Sequence, residues 1–227
     1  MKTNHTTRRG FTLVELLVVI TIIAALAALV SPQVMRALKK ADANTAVSNA
    51  RQIGLAMFSF QNEYGTFPDA DTQTDVEDDF PDGDITPDAT SSNGYFRQLF
   101  RGEFTDSEEI FFAKTAVSKK PDGVITGTNC LETKENAFGY IMNQDEGLTT
   151  GGNSARTIAA TPLTEAGLFD QDAFDKKAVS LRIDQSVQIL NINADGEALL
   201  KGGASVLTAG NDTVWGSDIT PTMKEPN

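Results

Sequence analysis

Residues 11–30 read FTLVELLVVITIIAALAALV, a run of twenty in which only Thr12, Glu15 and Thr21 are not apolar. At ~1.5 Å per residue a helix of this length spans roughly 30 Å, one bilayer hydrocarbon core. In lipid such a segment must be helical, because its backbone polar groups find no water to bond. Residues 1–10 are polar and basic, with Lys2, Arg8 and Arg9 and no acid. A basic stretch followed by an apolar run suits a secretory signal peptide or a single membrane anchor. Glu15 fits neither reading. A carboxylate in a membrane span is costly and usually has a partner and a function. No Lys or Arg lies between Gly10 and Met35, so the segment holds no cation for it. A newly made amino terminus would supply the missing charge.

Working outward, Pro32 follows the apolar run, where proline removes a helix hydrogen bond and introduces a kink. Beyond it Leu38, Thr45, Asn49, Ile53, Met57, Phe60 and Tyr64 recur at helical spacing. They predict one mostly apolar face over residues 32–64, read as core packing against a sheet. Lys39, Lys40, Asn44 and Arg51 fall on the opposite face. Gly65 and Pro68 end the helix. Nine acidic residues then crowd into residues 69–88, and no Lys or Arg occurs from Gln52 to Phe96. Like charges this dense repel, so residues 69–93 are expected to form a solvated acidic loop. Tyr95 to Arg101 reads as a short helix, and Ile110-Phe111-Phe112 as a buried strand or helix segment. Strands are expected at 139–142, at 157–161, and twice within 179–192. Asp195-Gly196 is a hairpin turn signal with a return strand at 197–200. The tail, residues 211–227, is polar, with Trp215 as its packing anchor. The fold class is therefore α+β. A long helix, apolar and membrane-spanning over residues 11–31, kinks near Pro32 and continues over 32–64. It packs on a small antiparallel β-sheet in a head formed by residues 65–227.

Composition removes several functions. The 227 residues carry 31 acidic and 19 basic side chains, a net charge of −12. No nucleic-acid partner is expected, because phosphate contacts need a basic surface. Cys130 and His5 are the single cysteine and the single histidine. Intramolecular disulfides and four-ligand Cys/His zinc sites are excluded.

Arg8-Arg9-Gly10-Phe11-Thr12-Leu13-Val14-Glu15 resembles the processing site of type IV pilins and type II secretion pseudopilins. The resemblance extends to about Tyr64, where Tyr64-Gly65-Thr66-Phe67-Pro68 is similar to a stretch found in many pseudopilins. It implies a leader peptide, residues 1–10, that prepilin peptidase removes by cutting between Gly10 and Phe11. N-methylation of Phe11 follows. It implies that Glu15 pairs with the amino terminus of a neighbouring subunit during assembly, and that the fold is pilin-like. It also implies a single-pass protein of the inner membrane with its head on the extracytoplasmic side. Its partners would be other pilin or pseudopilin subunits and an inner-membrane assembly machinery, in a periplasm-spanning or surface filament. From Phe11 onward the chain holds 16 basic and 31 acidic residues and no His, so imidazole-based catalysis is absent. Thr7-Arg8-Arg9-Gly10-Phe11 also resembles a twin-arginine export signal, with Ala24, Ala25, Ala27 and Ala28 as a small-residue cleavage region. Glu15 inside the apolar run argues against that alternative.

Three functional classes suit such a chain: a structural filament subunit, an adhesive or ligand-binding tip module, and an enzyme. Paired carboxylates suit acid–base chemistry, but here they fall in an acidic, turn-rich run, so no catalytic residues are assigned. The preferred reading is a pseudopilin of a type II secretion system. The alternative is a type IV pilin or minor pilin acting in adhesion, motility or DNA uptake. No cofactor is required. A Ca²⁺ ion is the one that the acids leave open, with Asp82 and Asp84 as candidate ligands. The pseudopilin resemblance adds Asp212 and Asp218, since a calcium ion commonly orders the C-terminal loop of major pseudopilins.

Overall fold

The computed structural model describes residues 11–164 and 167–227. The elements are α1 (Leu13–Tyr64), α2 (Ala70–Asp79), α3 (Ser92–Arg101), a 3-10 turn at Glu108–Phe111, and six strands. These are β1 (Gly139–Asn143), β2 (Thr157–Thr161), β3 (Lys177–Arg182), β4 (Val187–Ile192), β5 (Ala198–Leu199) and β6 (Pro221–Lys224). The α+β class expected from the sequence is the one found. The chain separates into two units, Met1–Leu38 and Lys39–Asn227.

In the first unit the described residues form the opening of α1. Pro32 lies inside the helix, where its missing N–H removes one rung of the hydrogen-bond ladder. The buried face of α1 begins only at Ala43.

In the second unit, Ala43, Ala46, Ala50, Ile53, Met57 and Phe60 form the buried face of α1. They alternate spacings of three and four, which keeps them on one side of a helix. Leu38 and Thr45, expected on that face, are exposed. Three alanines take the inner positions instead, and their short side chains let the helix approach closely. A Cβ on Gly54 would meet Leu181 Cδ1 at 3.0 Å. Burying Ile53, Met57 and Phe60 contributes about 1.5–3 kcal/mol each. Gly65 ends α1 at φ +87°, its N–H bonded to the Gln61 carbonyl at 2.8 Å. Glycine takes that left-handed conformation without Cβ strain.

The sheet is antiparallel throughout, in the order β5-β4-β3-β2-β1-β6. Tyr140, Ala159 and Leu181 stand opposite one another across β1, β2 and β3, so their side chains share a face. On that face Leu181 meets α1, while Tyr95 and Phe96 of α3 lie 5.6 and 5.4 Å from the Tyr140 ring. Phe111 extends the aromatic cluster to Phe96 and Phe100.

Two expectations are corrected. Residues 69–93 are not a solvated loop, because α2 occupies residues 70–79 and α3 begins at Ser92. Asp69 caps α2 through a reciprocal box: its Oδ1 accepts from Thr72 N–H at 2.8 Å and Thr72 Oγ1 accepts from Asp69 N–H at 2.9 Å. Val76 is fully buried. The cations missing from this stretch arrive from α3. Arg97 pairs with Asp88 at 3.0 Å, and Arg101 donates to the carbonyls of Ile85 and Phe80 at 2.6 and 2.8 Å. The C-terminal stretch is likewise more than a polar tail. Its residues 221–224 form β6, which pairs along β1. Trp215 anchors it as expected, fully buried with its indole N–H on the Val206 carbonyl at 2.7 Å.

Candidate functional site

The chemistry of the N-terminal segment starts at its first helical turn. Phe11 and Thr12 precede α1. Thr12 acts as the helix cap: its carbonyl accepts from Leu16 N–H at 3.2 Å and its Oγ1 accepts from Glu15 N–H at 3.2 Å. Glu15 closes the box in return, its Oε2 accepting from Thr12 N–H at 2.9 Å and from Thr12 Oγ1 at 2.8 Å. This is the Thr-x-x-Glu form of a capping box, in which two otherwise orphaned backbone donors are satisfied. The signal for this cap is present in the sequence as the three-residue spacing of Thr12 and Glu15.

Further along, the Thr21 hydroxyl donates to the Val18 carbonyl at 2.8 Å. The polar side chains of the run are thus hydrogen-bonded within it. What they lack is a charge to oppose Glu15, for among the described residues it makes no ion pair. Every other side chain from Leu13 to Leu38 is also exposed in the isolated chain, Leu13 at 86% and Leu29 at 71% among them. The helix is long and apolar enough to cross a membrane. A surface like this is stable only when lipid or other apolar helices cover it. The processing position is split: Phe11 is described, whereas Gly10 lies outside the described residues.

The acidic candidates lie elsewhere. Asp82 and Asp84 are exposed after α2, beside an open groove of about 450 Å³ that also includes Asp79, Arg101 and Glu103. Asp212 and Asp218 are exposed in the stretch before β6, where Asp218 Oδ1 accepts from Ser217 Oγ at 2.9 Å. That loop is closed by the protein itself, since Gly210 N–H bonds the Gly216 carbonyl at 3.0 Å and Arg156 holds the carbonyls of Val214 and Trp215. Neither pair belongs to the group of three carboxylates that the described residues bring together.

Residues 6–31 match the family described as Prokaryotic N-terminal methylation motif. Type II secretion system core protein G of Pseudomonas aeruginosa is 31% identical over 90 residues, 40% of this chain and 63% of that protein. The protein of the same description from Pectobacterium carotovorum subsp. carotovorum is 33% identical over 92 residues, 40% of this chain and 59% of its own length. The chain thus spans about six-tenths of the length of these curated relatives. No solved structure matches it. The similarity to these relatives covers a longer stretch than the motif, about 90 residues of this chain.

Proposed function

We propose that the chain is a structural subunit of a pilus-like filament, a pseudopilin of a type II secretion system. One observation carries this reading: within the methylation motif at residues 6–31 a lone carboxylate, Glu15, stands at the head of an apolar helix whose side chains are exposed from Leu13 to Leu38. In this reading prepilin peptidase cuts between Gly10 and Phe11, and Phe11 is methylated, which keeps its amine positive. The subunit is held in the inner membrane by α1 with its head on the far side. On assembly the ammonium of an incoming Phe11 meets Glu15 of a neighbour. Both charges are poorly solvated in lipid, and pairing relieves both. The similarity to core protein G supports the secretion role.

The experiment is deletion of the gene, with exoproteins, surface filaments and twitching scored in one strain. Loss of particular exoproteins with filaments intact is the expected result. Loss of filaments, adhesion or twitching with secretion intact would replace the proposal with a type IV pilin.

A further inference from the structure

The outward face of α1 within the head is exposed along its length. Lys40, Asn44, Ser48, Arg51, Leu55 and Ser59 follow one another at intervals of three and four residues, so they form one stripe, and all are exposed. Leu55 is 58% exposed, although its neighbours Ile53 and Met57 turn into the core. The stripe carries Lys40 and Arg51 and no acid. Neither cation makes an ion pair among the described residues. Asn44, Ser48 and Ser59 are short, so a second helix can come close along this line.

The complementary charge lies on α2. That helix carries Asp71, Asp75, Glu77, Asp78 and Asp79 and no cation. Asp71, Asp75 and Asp78 stand at intervals of four and three, on one exposed face. None of the three makes an ion pair among the described residues. Asp71 in the first turn suits the helix dipole. Asp78 and Asp79 in the last turn oppose it, and no basic residue stands there to compensate. Arg101 lines the groove beside Asp79, but its guanidinium donates to the carbonyls of Phe80 and Ile85.

Within one copy the two surfaces are held apart. The Tyr64 hydroxyl donates to Asp79 Oδ2 at 3.1 Å, which fixes the end of α2 beside the end of α1. At ~1.5 Å per residue Arg51 stands about 20 Å from Tyr64 along the helix axis, and Lys40 about 36 Å. We infer that the stripe through Lys40, Arg51 and Leu55 is the docking surface for α2 of a second copy of this chain, displaced toward the membrane end of α1 by roughly 20–36 Å. The inference rests on the filament reading, in which copies anchored by the same end of α1 run parallel. The contact then joins different surfaces of two copies, the head-to-tail kind that propagates into an open filament. Lys40 and Arg51 are about 16 Å apart along their helix, and Asp71 and Asp78 about 10 Å along theirs, so both cations face acids at once. A neighbour's cation beside Asp78 and Asp79 also offsets the unfavourable end of the α2 dipole.

The test uses the full chain, overproduced in its own cells and scored in the sheared filament fraction. Lys40→Glu with Arg51→Glu lowers the yield roughly tenfold or more, and Asp75→Lys with Asp78→Lys does the same, because each sets like charges against each other. All four changes in one chain restore the yield to within about twofold of wild type, a recovery that a damaged fold does not give. In a Cys130→Ala background, copies carrying Arg51→Cys form a mixed disulfide with separately tagged copies carrying Asp78→Cys. Arg51→Cys copies alone form none, since the contact is head-to-tail. Wild-type yield from either charge-reversed pair overturns the inference, as does failure of the combined reversal to restore filaments. A wild-type chain that never enters the sheared fraction overturns instead the filament reading beneath it.

Discussion

Arg97 is the side chain whose removal should most disturb the head. It is 6% exposed, and its guanidinium ties α3 to the irregular connection before β1. Nε donates to the Cys130 carbonyl at 2.7 Å, Nη2 to the carbonyls of Thr128 and Leu131 at 3.1 and 3.3 Å, and Nη1 to Asp88 at 3.0 Å. These acceptors are not equal once the arginine is gone. Thr128 is exposed and turns to water. The Leu131 carbonyl keeps the Asn93 amide at 2.8 Å. Asp88 has a side chain 36% exposed and still accepts from Thr90 N–H, so its pairing contributes at most about 1 kcal/mol after screening. The Cys130 carbonyl, on a fully buried residue, is the group left without a partner. An unsatisfied buried acceptor costs ~1–3 kcal/mol, and lost bonds from a charged donor add to that. Arg97→Met keeps the aliphatic length, so packing is largely preserved and the expected loss is about 2–4 kcal/mol. The assay is urea unfolding of the full chain in mild detergent, followed by the fluorescence of Trp215, the single tryptophan and a buried head residue. Arg97→Lys recovers only part of the loss, because an ammonium cannot reach acceptors spread across a planar fork. A loss below about 0.5 kcal/mol in Arg97→Met, or full recovery by lysine, would refute the assignment of Arg97 as the tie.

Glu15→Gln keeps an oxygen for the Thr12 cap but no charge, and Glu15→Ala removes both. If charge pairing drives assembly, both variants are cleaved like wild type and both lose filament yield by roughly tenfold or more in shearing assays; wild-type yield from Glu15→Gln would show that the cap alone suffices. Cys130 is buried, and that burial, with Glu108 adding to it and Arg97 opposing, pushes the thiol up to about 12 from an ordinary value of 9.0. The folded chain should therefore resist alkylation at pH 8 and react only as fast as it unfolds, which quenched iodoacetamide labelling measures. The sign of the linkage follows: below pH 9.0 both states hold the proton and the thiol contributes nothing, whereas from there to about 12 the unfolded state gives it up first and stability falls. Cys130→Ser should flatten that alkaline decline; an unchanged decline would assign it to other groups.

What could be read from the sequence was whatever is written contiguously. The apolar run, Glu15 within it and the basic residues ahead of it are neighbours in the chain, and their cost in lipid depends on little else. Strand β2 falls at residues 157–161 as expected, and β1 differs by one residue, because buried strands this short are set by local apolar content between turn residues. The misreading of residues 69–93 came from counting charge along the chain alone. Asp69-Ala70-Asp71-Thr72 carries a cap, and Val76 offers one apolar anchor, but the compensating cations sit on α3 and reach Asp88, Ile85 and Phe80 only after folding. The alanine face of α1 is not legible because alanine, though the strongest helix former, is too small to mark a buried face against Leu38.

The same distinction separates the two acidic groupings. Thr12 and Glu15 stand three residues apart, so one helical turn suffices to bring them together, and the pairing is visible in the sequence to anyone who looks for a cap. Glu108, Asp122 and Glu135 are spread over an irregular stretch with no repeating interval, and no spacing rule connects them. They converge because Leu131 and Gly123 amides grip Glu108 while the Glu132 amide turns Glu135 inward. The Leu131 and Glu132 amides are fixed in turn by Arg97 on the adjoining carbonyls of Cys130 and Leu131. Arg97→Met should therefore loosen the hold on the acids as well as lower stability, read as faster amide hydrogen exchange at Leu131 and Glu132, although Arg97 is not among the three acids. The two losses would be coupled through one loop: a variant that lost stability yet kept wild-type protection at Leu131 and Glu132 would show that the acids are held together by something other than this tie.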